Sequence, residues 1–139
     1  MNLPEEETVQ YQRHLSLPGF GPEAQAKLRK SSVLVVGAGG LGCAALQYLV
    51  AAGVGRIGIV DDDKVEASNL QRQVLYTHDD IGQPKAGVAA RRLSRLNPYV
   101  QIVPHEDRLT RDNVRDRLEG FDMVLDGTDS FASRYLIND

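Results

Sequence analysis

Val33-Leu34-Val35-Val36-Gly37-Ala38-Gly39-Gly40-Leu41-Gly42 decides the fold. Val33 to Val36 is a short, β-branched apolar run, which fits a strand buried on both faces. Leu41 to Ala52 is apolar nearly all round, which reads as a buried helix. Between them the glycines match G-x-G-x-x-G in the strand–loop–helix context that the motif requires. They permit a tight turn and let a phosphate approach backbone N–H groups at the positive end of a helix. Gly37, Gly39, Gly40 and Gly42 are therefore candidate nucleotide contacts. A glycine turn that binds nothing is the competing reading.

Outward from this stretch, Ile57 to Val60 reads as a second strand, ending at Asp61-Asp62-Asp63. Asp61 follows Gly37 by 24 positions, where an acid can accept hydrogen bonds from a ribose hydroxyl. Loop and acid together do not separate NAD from ATP. Pro84 to Leu96 is an amphipathic helix with Ala86, Ala89, Ala90, Leu93 and Leu96 on one face. Arg91, Arg92 and Arg95 fall largely outside that face and read as solvated. Gln101 to Pro104 and Met123 to Leu125 are two further strands, with a polar helix near Asn113 to Leu118 between them. A last helix runs from about Ser130 to Asp139. Before the glycine loop, Glu5 to Leu15 suits a helix, residues 17 to 22 a turn, and Pro22 the first turn of a helix over Glu23 to Lys30.

Alternating strands and helices predict an α/β, Rossmann-like, mostly parallel sheet with helices on both faces and right-handed crossovers. Two N-terminal helices precede it. The expected division is a helical arm over residues 1–31 and a Rossmann-like domain over 32–139. A complete doubly wound sheet usually has six or so strands, so the domain is expected to be incomplete at its C-terminus.

The 139 residues amount to about one domain, with an ordinary 42% hydrophobic and 25% charged content. No run approaches the roughly 18 apolar residues of a membrane span. A net charge of -3 gives no electrostatic case for nucleic acid or an anionic membrane. The acidic N-terminus lacks the apolar core of a secretory signal. One cysteine, Cys43, excludes an internal disulfide and a Cys-based zinc site. The expected location is cytoplasmic.

The segment Val60 to Gln73 is polar and has little periodicity, which is not typical of a dehydrogenase. Downstream, Ile81-Gly82-Gln83-Pro84-Lys85 places a cation in the first turn of a helix, where the helix dipole disfavours it. A bound polyphosphate would offset that cost. Asn69, Arg72 and Lys85 therefore look like a cluster gathered for phosphates. Taken singly, Arg72 or Lys85 reads as a loop charge.

These residues carry a resemblance to the MoeB/ThiF/HesA family, bacterial relatives of ubiquitin-activating enzymes. Its carriers are Val36 to Gly42, Asp61 and Asp63, Ser68 to Gln73, Gly82-Gln83-Pro84-Lys85, Leu96-Asn97-Pro98 and Leu125-Asp126-Gly127-Thr128-Asp129. The resemblance runs from about Val9 to the last residue. It implies an adenylyltransferase that joins AMP from ATP to the C-terminal glycine carboxylate of a ubiquitin-like sulfur carrier (ThiS/MoaD type) ending in Gly-Gly. The products are an acyl-adenylate and pyrophosphate, in thiamine or molybdenum-cofactor biosynthesis. By the same resemblance Asp61 binds the ribose, Asn69, Arg72 and Lys85 contact the phosphates, and Asp63 and Gln73 belong to the nucleotide site. Asp129 holds Mg²⁺, and Arg13 reaches into the partner's site across a homodimer. Lys85 and Asp129 are expected to be exposed. Structural zinc is expected only in the C-terminal part that relatives carry and this chain lacks.

Cys43 is expected in the core. His14, His78 and His105 have no metal-ligand spacing. Asp62 should point to solvent, and Asp79-Asp80 should cap or precede a short helical turn. Two other readings stay open. One is an NAD-dependent oxidoreductase, with no use for Arg72 and Lys85. The other is a nucleotide-binding, dimerising module without full activity.

Overall fold

A computed structural model describes residues 4–11 and 21–128. The end of the first predicted helix, residues 12–15 with Arg13 and His14, as well as Asp129 and the last predicted helix, lie outside the described residues. Among the described residues there are four strands: β1 (Ser32–Val36), β2 (Arg56–Val60), β3 (Gln101–His105) and β4 (Met123–Asp126). The described residues also form the α-helices α1 (Glu5–Gln10), α2 (Pro22–Lys30), α3 (Gly40–Ala52), α4 (Lys85–Leu96) and α5 (Val114–Leu118). Short 3₁₀ turns at Ala67–Asn69 and His78–Asp80 interrupt the long stretch between β2 and α4.

The strands are all parallel and lie in the order β3-β2-β1-β4. Val33 pairs with Ile57 on one side and Met123 on the other. The chain thus runs outward in one direction from β1 and then returns to its other side. Strand order reverses between β1 and β4, and the crevice at such a point is where doubly wound sheets bind ligands.

All five residues of β1 are buried, as its apolar run demands. The period-2 alternation of side chains sorts them into two cores. Val33 and Val35 join Leu46, Val50, Ile57, Ile59, Val88 and Leu93 under α3 and α4. Leu34 and Val36 join Val60 and Leu109 on the opposite face, against Val114, Leu118 and Phe121 near α5. Removing a fully buried Leu or Ile side chain from such a core costs about 2–5 kcal/mol.

Two polar side chains tie the N-terminal helices and α4 to the end of α3, and an ion pair joins the two N-terminal helices to each other. Gln25, fully buried, donates to the Ala52 carbonyl at 2.7 Å. Asn97 donates to the Tyr11 hydroxyl at 2.7 Å and to the Val50 carbonyl at 2.8 Å. Glu7 pairs with Arg29 at 3.0 Å.

Two expectations are corrected. α3 is not buried all round, since Leu41 is 71% and Tyr48 78% exposed. A helix laid on one face of a sheet leaves its outer side free whatever its composition. The arginine face of α4 is not simply solvated either. Arg92 pairs with the buried carboxylate of Asp80 at 3.0 Å, and Arg91 donates to Gln83 at 2.7 Å.

Asp80 closes its 3₁₀ turn by accepting from the Thr77 N–H at 2.7 Å and the Thr77 hydroxyl at 3.1 Å. Burial works to raise its pKa, but the Thr77 donors and the Arg92 guanidinium outweigh it and hold the carboxyl below its ordinary value of 3.8. A depressed folded-state pKa contributes stability that is present above the ordinary value and is lost as pH falls through the folded one. Arg92→Ala is therefore expected to cost about 1–3 kcal/mol at neutral pH, the penalty of removing a charged partner from a buried group. It should also flatten the loss of stability below about pH 4. Urea midpoints at pH 7 and pH 3 check both. Equal midpoints for the two proteins at pH 7 would contradict the assignment.

Candidate nucleotide-binding site

A cleft of about 490 Å³ opens at the carboxyl ends of the strands. Its residues come from the ends of β1 and β2, the loops after β3 and β4, the 3₁₀ turn after β2 and the start of α4. The glycine loop forms one wall.

Two of its glycines serve the fold and two leave space. Gly37 has φ +96°, and a Cβ there would sit 3.0 Å from the Gly127 backbone in the loop after β4. A Cβ on Gly42 would lie 1.8 Å from the Gly37 carbonyl oxygen, so only glycine lets α3 start against the loop. At Gly39 and Gly40 the nearest atoms would be 3.7 and 3.9 Å away, belonging to the side chains of Gln73 and Arg72. A methyl fits there, and it would take up open space on the cleft wall. Gly39 is the N-cap of α3 and offers no capping side chain. The first-turn N–H groups of α3 therefore lack intrahelical acceptors and present a positive helix end.

Asp61 stands where β2 ends. Its Oδ2 accepts from the Ala38 N–H at 2.7 Å and its Oδ1 from the Asp63 N–H at 2.7 Å. The carboxylate thus braces the glycine loop, and spare lone pairs remain for a ligand hydroxyl. Burial pushes its pKa up, while the two N–H donors and Lys85 pull against that shift.

The cations have a different status from the acids. Asp62 pairs with Arg108 at 3.7 Å, and Arg117 engages Asp107 and holds its carboxyl below the usual range. Lys85 and Arg72 form no ion pair among the described residues. Arg72 is exposed and makes one long contact, 3.4 Å, to the Ser68 carbonyl. Lys85 corrects an expectation. It is 5% exposed rather than solvent-facing, because α4 buries its first turn and the Lys85 N–H bonds to the Asp63 carbonyl at 3.0 Å. An ammonium on a buried stem, with no carboxylate within ion-pair distance among the described residues, is left with charge to spare for an anion in the cleft.

Gln73 is 3% exposed, and its Oε1 is buried with no hydrogen-bond partner among the described residues. Such an orphan is uncommon and costs free energy. It leaves the Nε2 end of the amide beside Gly39, free to donate. Asn69 uses its Oδ1 to accept from the Glu66 N–H at 3.0 Å, which fixes the turn that carries Arg72.

The structure thus brings Gly37, Gly39, Gly40, Asp61, Asp63, Asn69, Arg72, Gln73 and Lys85 together around one cleft. Gly42 sits directly beneath it, packed on Gly37. Arg13 and Asp129 lie outside the described residues. Sequence reasoning missed Asp107, Arg108 and Leu109, which line the cleft from the loop after β3. No motif marks them, and only the strand order puts that loop beside Asp61.

The Gln73 Nε2 donor, the Lys85 ammonium without an ion pair among the described residues and the open space over Gly39 and Gly40 suit a nucleotide polyphosphate. Comparison with known proteins agrees. At 54% identity over the whole chain, it resembles a sulfur carrier protein adenylyltransferase of Thermus thermophilus and spans 51% of that protein. It is 52% identical over 93% of its length to a SAMP-activating enzyme E1 of Haloferax volcanii, of which it spans 48%. The chain therefore covers about half the length of these relatives. Its fold matches a crystal structure of an E. coli tRNA N6-threonylcarbamoyladenosine dehydratase, TcdA, in complex with ATP. That match has a TM-score of 0.86 and 30% identity, and covers 94% of this chain and 53% of that one. The profile of the ThiF family matches residues 11–139, and the chain belongs to the ThiF family.

Proposed function

We propose that this cleft binds ATP and supports adenylation of the C-terminal carboxylate of a ubiquitin-like sulfur carrier ending in Gly-Gly, for thiamine or molybdenum-cofactor biosynthesis. The observation that carries the reading is Lys85, a buried residue that forms no ion pair among the described residues and lines the same cleft as a glycine loop whose helix end is also positive. The names of the adenylyltransferase relatives and the ATP complex of the structural neighbour support it.

In the proposed reaction a carboxylate oxygen attacks the α-phosphorus, the bond to the β-phosphate oxygen breaks, and pyrophosphate leaves. No proton is transferred. The difficulty is electrostatic, because both reactants are anions. The N–H groups of Gly39 and Gly40 and the α3 dipole hold phosphate oxygens. Lys85, Arg72 and the Gln73 Nε2 neutralise or donate to the triphosphate, and Asn69 sets the turn beneath them. Asp61 and Asp63 bind on the ribose side. Positioning and charge neutralisation of this kind supply most of the catalysis in phosphoryl and nucleotidyl transfer. Arg13 of a second copy, across a homodimer, is proposed to add one more cation. Asp129 is proposed to hold Mg²⁺, which would supply further positive charge against the triphosphate. A cytoplasmic location fits this role; among the described residues no helix is long and apolar enough to cross a membrane.

Mass spectrometry of a Gly-Gly-ended carrier incubated with the protein, ATP and Mg²⁺ tests the reading. One added AMP is the expected product. A carrier that stays unmodified while NAD⁺ binds the cleft more tightly than ATP would replace this reading with a dinucleotide-binding one.

A further inference from the structure

Cys43 and Tyr76 are buried, polar and absent from the cleft wall, yet both reach the glycine loop from below. The Tyr76 hydroxyl donates to the Ala38 carbonyl at 2.8 Å, and the Cys43 thiol donates to the same oxygen at 3.1 Å. One partner satisfies a buried carbonyl, and this one uses both lone pairs. Burial pushes the phenol and the thiol up from their ordinary pKa values, so both keep their protons and remain donors.

The Ala38 carbonyl and the Gly39 N–H are opposite ends of one planar trans peptide, and they point in opposite directions. A carbonyl drawn down toward Tyr76 and Cys43 forces the Gly39 N–H up, away from the core. Gly39 lines the cleft, so that direction is toward the ligand. Nothing in Gly39 itself would hold the peptide plane, because a residue without Cβ turns freely. On the other side, the Ala38 N–H is fixed by Asp61 at 2.7 Å.

We propose that Tyr76 and Cys43 are positioning residues that clamp the 38–39 peptide and aim the Gly39 N–H at a phosphate of bound ATP. The proposal rests on the ATP reading of the cleft. It predicts an effect confined to phosphate recognition. The double variant Tyr76→Phe/Cys43→Ala should bind ATP about tenfold more weakly or worse, the usual loss for a hydrogen bond to a charged group. Its affinity for adenosine, which has no phosphate, should stay within about twofold. Tyr76→Phe/Cys43→Ser keeps one hydroxyl donor and should recover part of the ATP affinity.

Calorimetric titration of each protein with ATP and with adenosine reads these outcomes. A merely structural role would weaken both ligands together, and that result overturns the clamp, as does unchanged ATP affinity. If the double variant does not fold, Tyr76→Phe alone is compared with wild type by the shift of the Gly39 amide resonance on adding ATP. The clamp predicts a reduced shift, and an equal one overturns it. Wild type that binds neither ATP nor adenosine removes the ATP reading, and the clamp with it. Normal wild-type binding with an unaffected variant removes the clamp alone.

Discussion

Gly42→Ala is expected to leave the protein without a cooperative thermal unfolding transition. The added Cβ would lie 1.8 Å from the Gly37 carbonyl oxygen and 2.8 Å from its carbon. Both are backbone atoms, and neither can move freely. Gly37 continues the sheet through its N–H bond to the Val60 carbonyl at 2.8 Å, and its Cα already faces the loop after β4. Relief would require lifting α3 off β1, which would expose Leu46 and Val50 from the main core. The expected cost is more than about 4 kcal/mol, most or all of the stability of a small domain. Gly40→Ala is the matched control, since its Cβ would meet nothing closer than 3.9 Å. It should melt within a few degrees of wild type and bind ATP more weakly. A Gly42→Ala protein with the wild-type melting temperature would show that the loop and α3 are not packed as described.

The second large effect is expected at Lys85, with the opposite signature. Lys85→Met keeps an unbranched apolar stem of similar length and removes the ammonium. The folded protein loses no ion pair, because Lys85 has none among the described residues. Stability should stay within about 1 kcal/mol of wild type, because the desolvation relieved by removing the ammonium is offset by the loss of its attraction for the Asp61 carboxylate. Adenylation should fall by about 100-fold or more, the scale on which one preorganised charge acts in a water-poor site. Urea denaturation and product formation under saturating ATP measure the two quantities. A variant that unfolds easily while its folded fraction keeps full specific activity would assign Lys85 to the fold.

The two glycine classes in these predictions share one sequence motif. Pattern alone named Gly37, Gly39, Gly40 and Gly42 together, and it read the strand before and the helix after correctly. Both features are local, since strand and helix periods are written within a few residues. What separates Gly42 from Gly40 is where Gly37 and the loop after β4 come to lie, which depends on tertiary packing.

Lys85 shows the same limit. Lysine is usually exposed, and its place at the start of a helix is visible in the sequence. Its burial comes from the loop closure at Asp63 and Gly82-Gln83, which no local pattern announces. Arg92 is similar, because a helical wheel places it off the apolar face but does not reveal Asp80 beneath it. Asn97 belongs to the Leu96-Asn97-Pro98 motif with no chemical role evident from sequence. Its contacts with Tyr11 and Val50 show that it holds α1, α3 and α4 together. Arg108 and Leu109 were invisible for a topological reason. They are 47 and 48 positions beyond Asp61 and reach the cleft only because β3 lies beside β2.

Carrier-dependent exchange of labelled pyrophosphate into ATP tests the central claim most directly, because it reports the reverse of the proposed step on this protein's own site. With Mg²⁺ and a Gly-Gly-ended carrier, label is expected to enter ATP, and Lys85→Met is expected to abolish most of that entry. Exchange that proceeds equally well without the carrier, or that survives Lys85→Met, would contradict the account.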